Sequence, residues 1–421
     1  MNSRLLISDV LLDGRRANVV IEGNRFGSIG EQPTGDFDDV IRCHGRKAIV
    51  PPFYNSHTHA AMTLLRGYAD DVELAEWLTR HIWPAEARLT PEDIYAGSRV
   101  AILEMIKSGT VFFNDMYWDQ PATAQAATEM GVRAAIGMLY LAGPDGRRNP
   151  RSERSNAELL ERAPDLPDRI QITEAPHSVY TVPEAMLRAA GEAAAESGRL
   201  LHIHVSETRK ENADCLALTG RSPVAYLNDL GAIGPRSILA HCVHLSDEDR
   251  EILAARDAVI AHLPTSNMKL CSGQFDHAAA RAAGLRLTLG TDGASSNNSL
   301  SMLTEMKLAS LSAKIRSGSP TEARDHEVFA MATVAGAQAF GIDAGEIAQG
   351  RLADALLIDL DQPSLVADHN LESNLVYAAD SSVIDTVICD GRVLMTGRHV
   401  PGEEQILAQG RAAAARIRGR R

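Results

Sequence analysis

Two histidines one residue apart, His57-Thr58-His59, head the side chains of this chain that could do chemistry. On an extended strand residues i and i+2 point the same way, so both imidazoles could face a single ion. His204, in His202-Ile203-His204-Val205, offers a third nitrogen, and Asp292, in Leu289-Gly290-Thr291-Asp292-Gly293, a carboxylate oxygen. Three imidazoles with one carboxylate suit a divalent transition ion such as Zn²⁺ or Fe²⁺ better than Mg²⁺ or Ca²⁺, which prefer all-oxygen shells. A position left for water would make the site catalytic, not structural. A His-x-His pair by itself is also what a half-buried polar strand end looks like; with His241 closing Ser237–His241, such groups at four strand ends are harder to obtain by accident. Glu207, three residues after His204, reads either as a helix-start acid or as a general acid able to protonate a ring nitrogen. His202 reads as a satisfied core histidine, and His244, His262, His277 and His326 as structural or surface residues.

These residues need elements to bring them together. Apolar strand-like runs occur from Ala48 to His57 and at Thr110–Asn114, Val132–Met138, Ile170–Ala175, Leu200–Val205, Ser237–His241, Ala258–His262 and Arg286–Thr291. Helical stretches lie between them, among them Pro91 to Ser108, Pro183 to Ser197 and Ser246 to Ala255, opening on residues suited to helix N-termini. Eight βα units suit a (β/α)8 barrel, whose strand ends converge on the catalytic face, with a doubly wound sheet as the alternative. The chain ends differ in style. Leu5-Leu6-Ile7, Asn18 to Ile21, Ala48 to Val50, Asp354 to Asp359 and Val383 to Cys389 read as short strands, with a hairpin signal at Asp390-Gly391. The two ends could pair into one small β-domain. Arg147 to Arg154 reads as a mobile loop and Arg416 to Arg421 as a solvated helix end.

Composition narrows the function classes. The 421 residues carry 42 Lys+Arg against 55 Asp+Glu, a net charge of −13, with 5% aromatics, which argues against nucleic acid as a partner. No apolar run is long enough to span a bilayer, and Met1 to Gly14 lacks the pattern of a cleaved leader, so a cytoplasmic protein is expected. The five cysteines, Cys43, Cys215, Cys242, Cys271 and Cys389, contain no Cys-x-x-Cys and give neither a disulfide framework nor a thiolate zinc site.

Asn55 to Gly67, His202 to Thr208, Ala240 to Leu245, Ser266 to Leu270 and Gly290 to Asn298, in this order, resemble the amidohydrolase superfamily, in particular its 5′-methylthioadenosine/S-adenosylhomocysteine deaminase branch near the s-triazine hydrolases. The resemblance implies an α/β fold: a distorted (β/α)8 TIM barrel over 51–345, with a β-sandwich built from 1–50 and 346–421, the latter ending in a helix. It implies one divalent metal per subunit, Zn²⁺ first and Fe²⁺ or Mn²⁺ as alternatives, held by His57, His59, His204 and Asp292. Strand four carries no Lys, which fits a mononuclear site. The implied activity removes the 6-amino group of an adenosine-type nucleoside. Asp292 accepts the water proton, His241 orients the nucleophile and Glu207 protonates purine N1.

By the same resemblance Glu86 would accept ribose hydroxyls and His177 would line the pocket; Trp83 could flank it. Their alternatives are a helix-surface acid, a loop residue and a core aromatic. No Arg stands on strand three near Gly137, and Arg133 is expected to face elsewhere. Methylthioadenosine or adenosine is then favoured over S-adenosylhomocysteine unless an Arg of 147–154 substitutes. Other readings are hydrolysis of a triazine, guanine or pterin, and a non-catalytic scaffold. A homo-oligomer is expected by analogy.

Overall fold

The computed structural model describes residues 3–30, 32–143 and 145–419. Met1, Asn2, Arg420 and Arg421, parts of the expected N-terminal stretch and basic tail, lie outside the described residues. Five strands open the chain: β1 (Arg4–Leu12), β2 (Arg15–Glu22), β3 (Arg25–Ile29), β4 (Asp39–Arg42) and β5 (Lys47–Val50). Eight more follow: β6 (Phe53–Thr58), β7 (Thr110–Asp115), β8 (Arg133–Tyr140), β9 (Ile170–Pro176), β10 (Leu201–Val205), β11 (Ser237–His241), β12 (Val259–His262) and β13 (Arg286–Leu289). The last three are β14 (Ala355–Asp359), β15 (Ile384–Cys389) and β16 (Arg392–Met395).

Strands β6 to β13 pair in sequence order, all parallel, as a nearly closed barrel. The expected single run from Ala48 to His57 is corrected: Pro51-Pro52 divides it. Proline lacks the N–H a ladder needs, so β5 pairs with β1 and β14 in the other sheet and the barrel strand begins at Phe53. Closure brings β13 back to β6. Thr291 and Asp292 donate their backbone N–H to the His57 carbonyl at 3.1 and 3.0 Å, and Asn55 holds the Thr291 backbone N–H and hydroxyl at 3.0 and 2.7 Å. Gly290 permits this approach, since a Cβ there would sit 2.8 Å from the His57 nitrogen. Among the strands that pair in a ladder, β9 and β10 are joined least, by one register pair plus a bridge from Ser178 to His204.

Both chain ends build the second sheet, in the order β16-β15-β14-β5-β1-β2-β3, with β4 beside β1. The β15–β16 hairpin turns at Asp390 and Gly391, both at positive φ (52° and 74°), as a two-residue Asp-Gly loop requires. The expected helices form at Pro91–Lys107, Glu184–Ser197 and Asp247–Ala255. Thr90 and Ser246 cap the first and third through reciprocal bonds with Asp93 and Asp249.

Two expectations at basic segments are corrected. Residues 147–154 are not wholly a loop, because Asn149 caps a helix at Pro150–Arg162. Nor is the C-terminal helix, Glu403–Gly419, merely solvated at its basic end: Arg416 reaches the buried Asp93 carboxylate at 2.7 Å. Arg133, as expected, faces away from the barrel mouth. It joins the two sheets, meeting Asp354 at 2.8 Å and Asp390 at 2.9 Å. Both Arg133 and Asp354 are buried, so Arg133→Ala strands a carboxylate; we expect a loss of about 3–5 kcal/mol in urea unfolding, against a smaller loss for the paired replacement Arg133→Met with Asp354→Leu.

Candidate active site

His57 lies on β6 and His59 just beyond it, while His204, His241 and Asp292 stand at the mouth ends of β10, β11 and β13. The backbone bends sharply here: Ser206, His241, Cys242 and Asp292 all have φ between 49° and 71°. Non-glycine residues adopt this left-handed region at a cost of order 1–3 kcal/mol each, and it tends to gather at functional sites. The bends direct side chains inward at the ends of the ladders.

Hydrogen bonds on the far side of each ring fix which nitrogen faces the centre. His59 Nδ1 donates to the Met116 carbonyl at 2.5 Å and His204 Nδ1 to the His177 carbonyl at 2.6 Å. A carbonyl only accepts, so each ring, once neutral, carries its proton there and turns a bare Nε2 lone pair inward. These two Nε2 atoms lie 3.3 Å apart. Asp292 Oδ1 is 3.2 Å from His59 Nε2 and 3.4 Å from His57 Nε2, a buried atom with no hydrogen-bond partner among the described residues. Ligand bonds of about 2.1 Å in a tetrahedral arrangement put donor atoms roughly 3.4 Å apart. The spacing, the facing lone pairs and the mixed nitrogen–oxygen donors fit a divalent cation.

Electrostatics agree. Burial alone would depress His59, but contact with Asp292 holds it up at about 9, so the field between these groups favours positive charge. Burial raises the Asp292 carboxyl, yet the His57 and His59 contacts outweigh it and hold the group well below the usual carboxylate range. Burial lowers His57 to about 4. Ser266 donates to Asp292 Oδ2 at 2.6 Å and the Gly293 N–H to Oδ1 at 2.8 Å, fixing the carboxylate plane.

Glu207 and His241 stand side by side next to this cluster, with His241 Nε2 at 3.8 Å from Glu207 Oε2. Asn267 Oδ1 meets His241 Nδ1 at 2.8 Å, and Ser272 donates to Glu207 Oε1 at 2.8 Å. The helix-start alternative for Glu207 does not hold: Thr208 caps the helix Arg209–Thr219, and the Glu207 side chain turns into the cavity. Glu211, one turn into that helix, accepts the backbone N–H groups of Ser206 and Glu207, both at 2.8 Å. The strained turn is thereby held by a buried carboxylate.

A pocket opens over the cluster and is lined by His59, His177, His204, Glu207, His241 and Asp292. Its outer wall is apolar, with Leu74, Trp77, Ile82, Trp83, Leu139 and Leu141. Glu86 is buried within it and accepts from Trp118 Nε1 at 3.3 Å; burial pushes its carboxyl up, against the pull of Tyr117 and Trp118. It is thus no helix-surface acid. Trp83 is an exposed rim residue, not core. His177 lines the cavity as a neutral ring, lowered by burial to about 3, and its carbonyl also orients His204.

The sequence did not single out several supporting groups. Ser266, Asn267, Ser272 and Glu211 each hold a site residue through a contact remote in sequence or one turn away. Arg151 grips Asp119 at 2.5 Å and the carbonyls of Glu86 and Leu89 at 3.1 and 2.8 Å, which commits it to holding the segment that carries Glu86. His202 is core but not satisfied as expected: its Nε2 meets His57 Nδ1 at 2.7 Å, and its Nδ1 has no hydrogen-bond partner among the described residues.

Comparison with known proteins agrees with this geometry. The chain is 42% identical to a 5′-deoxyadenosine deaminase of Methanothermobacter thermautotrophicus, covering 99% of both chains. It is also 42% identical to 5-methylthioadenosine/S-adenosylhomocysteine deaminase 1 of Archaeoglobus fulgidus, over 99% of this chain and 98% of the other. Among solved structures, an adenosine deaminase from Xanthomonas campestris with bound zinc superposes with a TM-score of 0.91 at 30% identity, covering 99% of each chain. A triazine hydrolase from Arthrobacter aurescens shares the fold, with a TM-score of 0.89 at 23% identity over 98% of this chain and 99% of the other. Residues 48–394 match the amidohydrolase family, a span that contains all eight barrel strands and every side chain of the cluster: this chain belongs to that family.

Proposed function

We propose that this protein is a hydrolytic deaminase of adenosine-type nucleosides, with 5′-deoxyadenosine, 5′-methylthioadenosine, S-adenosylhomocysteine and adenosine as the candidate substrates. The observation that carries the reading is one cavity holding inward-facing imidazole nitrogens, the Asp292 carboxylate, the paired Glu207 and His241, and a buried Glu86. Similarity over the full chain to deaminases of 5′-modified adenosines supports it.

His57, His59, His204 and Asp292 would hold one divalent ion, Zn²⁺ foremost. When bound, such an ion supplies an activated water at neutral pH by lowering its pKa toward about 7. The chain's own groups do the rest. Asp292 takes a proton from the attacking water. His241, whose Nδ1 faces Asn267, presents Nε2 as an acceptor that orients the water. Glu207, steadied by Ser272, donates a proton to N1 of the purine as the new C6–O bond forms, so negative charge does not build on the ring. The C6–N bond then breaks, the amine leaves as ammonia with the proton Asp292 returns, and the C6 hydroxyl gives its proton back to Glu207, leaving the 6-oxo product. Glu86 accepts hydrogen bonds from ribose hydroxyls, while the apolar wall covers the 5′ substituent.

An ammonia-release assay across these nucleosides, set beside guanine and a chloro-s-triazine, tests the substrate class. Turnover of the nucleosides is expected; turnover of the ribose-free compounds alone would replace this reading with the heterocycle hydrolase. Glu86→Gln should raise KM for ribonucleosides about tenfold or more, the scale of a hydrogen bond to a charged group, and leave that for 2′,3′-dideoxyadenosine unchanged.

A further inference from the structure

His57 differs from the other inward-facing histidines in what stands behind it. His59 and His204 lean on backbone carbonyls, acceptors that any sequence provides. Behind His57 stands another imidazole, His202 Nε2, at 2.7 Å from His57 Nδ1, with the ring planes at 76°. Both rings are fully buried. His202 and His204 are two apart on β10, so their side chains lie on the same side of that strand. His204 reaches the mouth while His202 sits one layer deeper, beneath His57.

We propose that His202 is the positioning residue for His57, accepting the proton on His57 Nδ1 and so presenting His57 Nε2 to the divalent cation. The inference rests on the metal-site reading above. An imidazole that gives its Nε2 lone pair to an ion must carry its proton on Nδ1. The group 2.7 Å away must then accept, and His202 Nε2 can do so only if the His202 proton sits on its other nitrogen. His202 Nδ1 is the buried atom for which the described residues provide no hydrogen-bond partner. This arrangement leaves that N–H unpaired, a penalty that the tautomer needed for the ion accounts for. A neutral acceptor also has an electrostatic consequence. A carboxylate there would add a negative charge behind His57, whereas an imidazole adds none.

The test separates this role from packing. His202→Phe keeps a planar ring without an acceptor, and His202→Gln keeps an acceptor oxygen without the ring. Zinc affinity, read by competition with a chromophoric chelator, should fall about 10- to 100-fold in His202→Phe and remain near the wild-type value in His202→Gln. Unchanged affinity in His202→Phe, or equal losses in both variants, would overturn the proposal. Should neither variant fold, the imidazole ¹⁵N shifts of the zinc-loaded wild-type protein decide it. A protonated His57 Nδ1 with a bare His202 Nε2 supports the role, and a protonated His202 Nε2 refutes it. Failure of the metal-site reading has its own signature, namely wild-type protein that binds no zinc in the same competition.

Discussion

Glu207→Gln should abolish almost all nucleoside turnover while leaving metal binding intact. Glutamine keeps the shape and can still accept from Ser272, but it has no acidic proton to give to a ring nitrogen. General acid–base groups contribute about 10²- to 10⁴-fold in rate, so kcat should fall within that range with KM little changed. The carboxylate sits beside the donor cluster, next to His241 at 3.8 Å, and is not one of the four side chains that would hold the ion. Bound zinc, measured by elemental analysis, is therefore expected to match wild type. A Glu207→Gln protein that keeps more than a tenth of its kcat would remove Glu207 from the chemistry.

Asp292→Asn should cost at least as much, for two reasons that separate in the measurement. The change removes the negative charge that holds His59 at about 9 and opposes the charge of a bound cation. It also removes the group assigned to take and return the water proton. The Gly293 N–H, now donating to Oδ1, would still hold the amide oxygen, and the Ser266 hydroxyl, now donating to Oδ2, can turn to accept from the amide NH2, so the fold should persist. We expect weaker zinc retention on dialysis and a kcat reduced by at least about 10³-fold even at saturating zinc, because added metal restores occupancy without restoring the proton acceptor. Full rescue of kcat by zinc alone would reduce Asp292 to a ligand.

Much of this site was legible in the sequence because barrel chemistry sits at strand ends, where a short local pattern reports position. His57, His59, His204, His241 and Asp292 each close or follow an apolar run, and a parallel barrel forces such ends together. What stands behind these residues was hidden for the opposite reason. The Asn267–His241 and Ser272–Glu207 contacts join residues 26 and 65 apart, and nothing local marks a serine or asparagine as a support. His202 was misread as satisfied because burial can be inferred from an apolar strand, but the identity of a cross-barrel partner cannot.

Other parts of the fold show the same division. Pro51-Pro52 was visible as a dipeptide, yet the apolar character of Ala48 to Tyr54 carried the strand across it; the prolines decided the sheet each half joins. The charged Arg147 to Arg154 stretch looked like loop by composition. Its helix draws on Asn149 as a cap and on Arg151, whose fixed charge finds Asp119 and the carbonyls of Glu86 and Leu89. Arg416 is a similar case, paired with an aspartate 323 residues earlier.

Metal dependence of nucleoside deamination is the claim on which the rest depends, and one titration tests it most directly. Protein stripped of metal is assayed for ammonia release from 5′-deoxyadenosine and 5′-methylthioadenosine while Zn²⁺ is added in known amounts. Activity should be near zero at the start, rise linearly and level off at one zinc per chain, with one ammonia formed per inosine analogue. Folded, zinc-saturated protein that releases no ammonia from any adenosine nucleoside, or stripped protein that is already fully active, would contradict it.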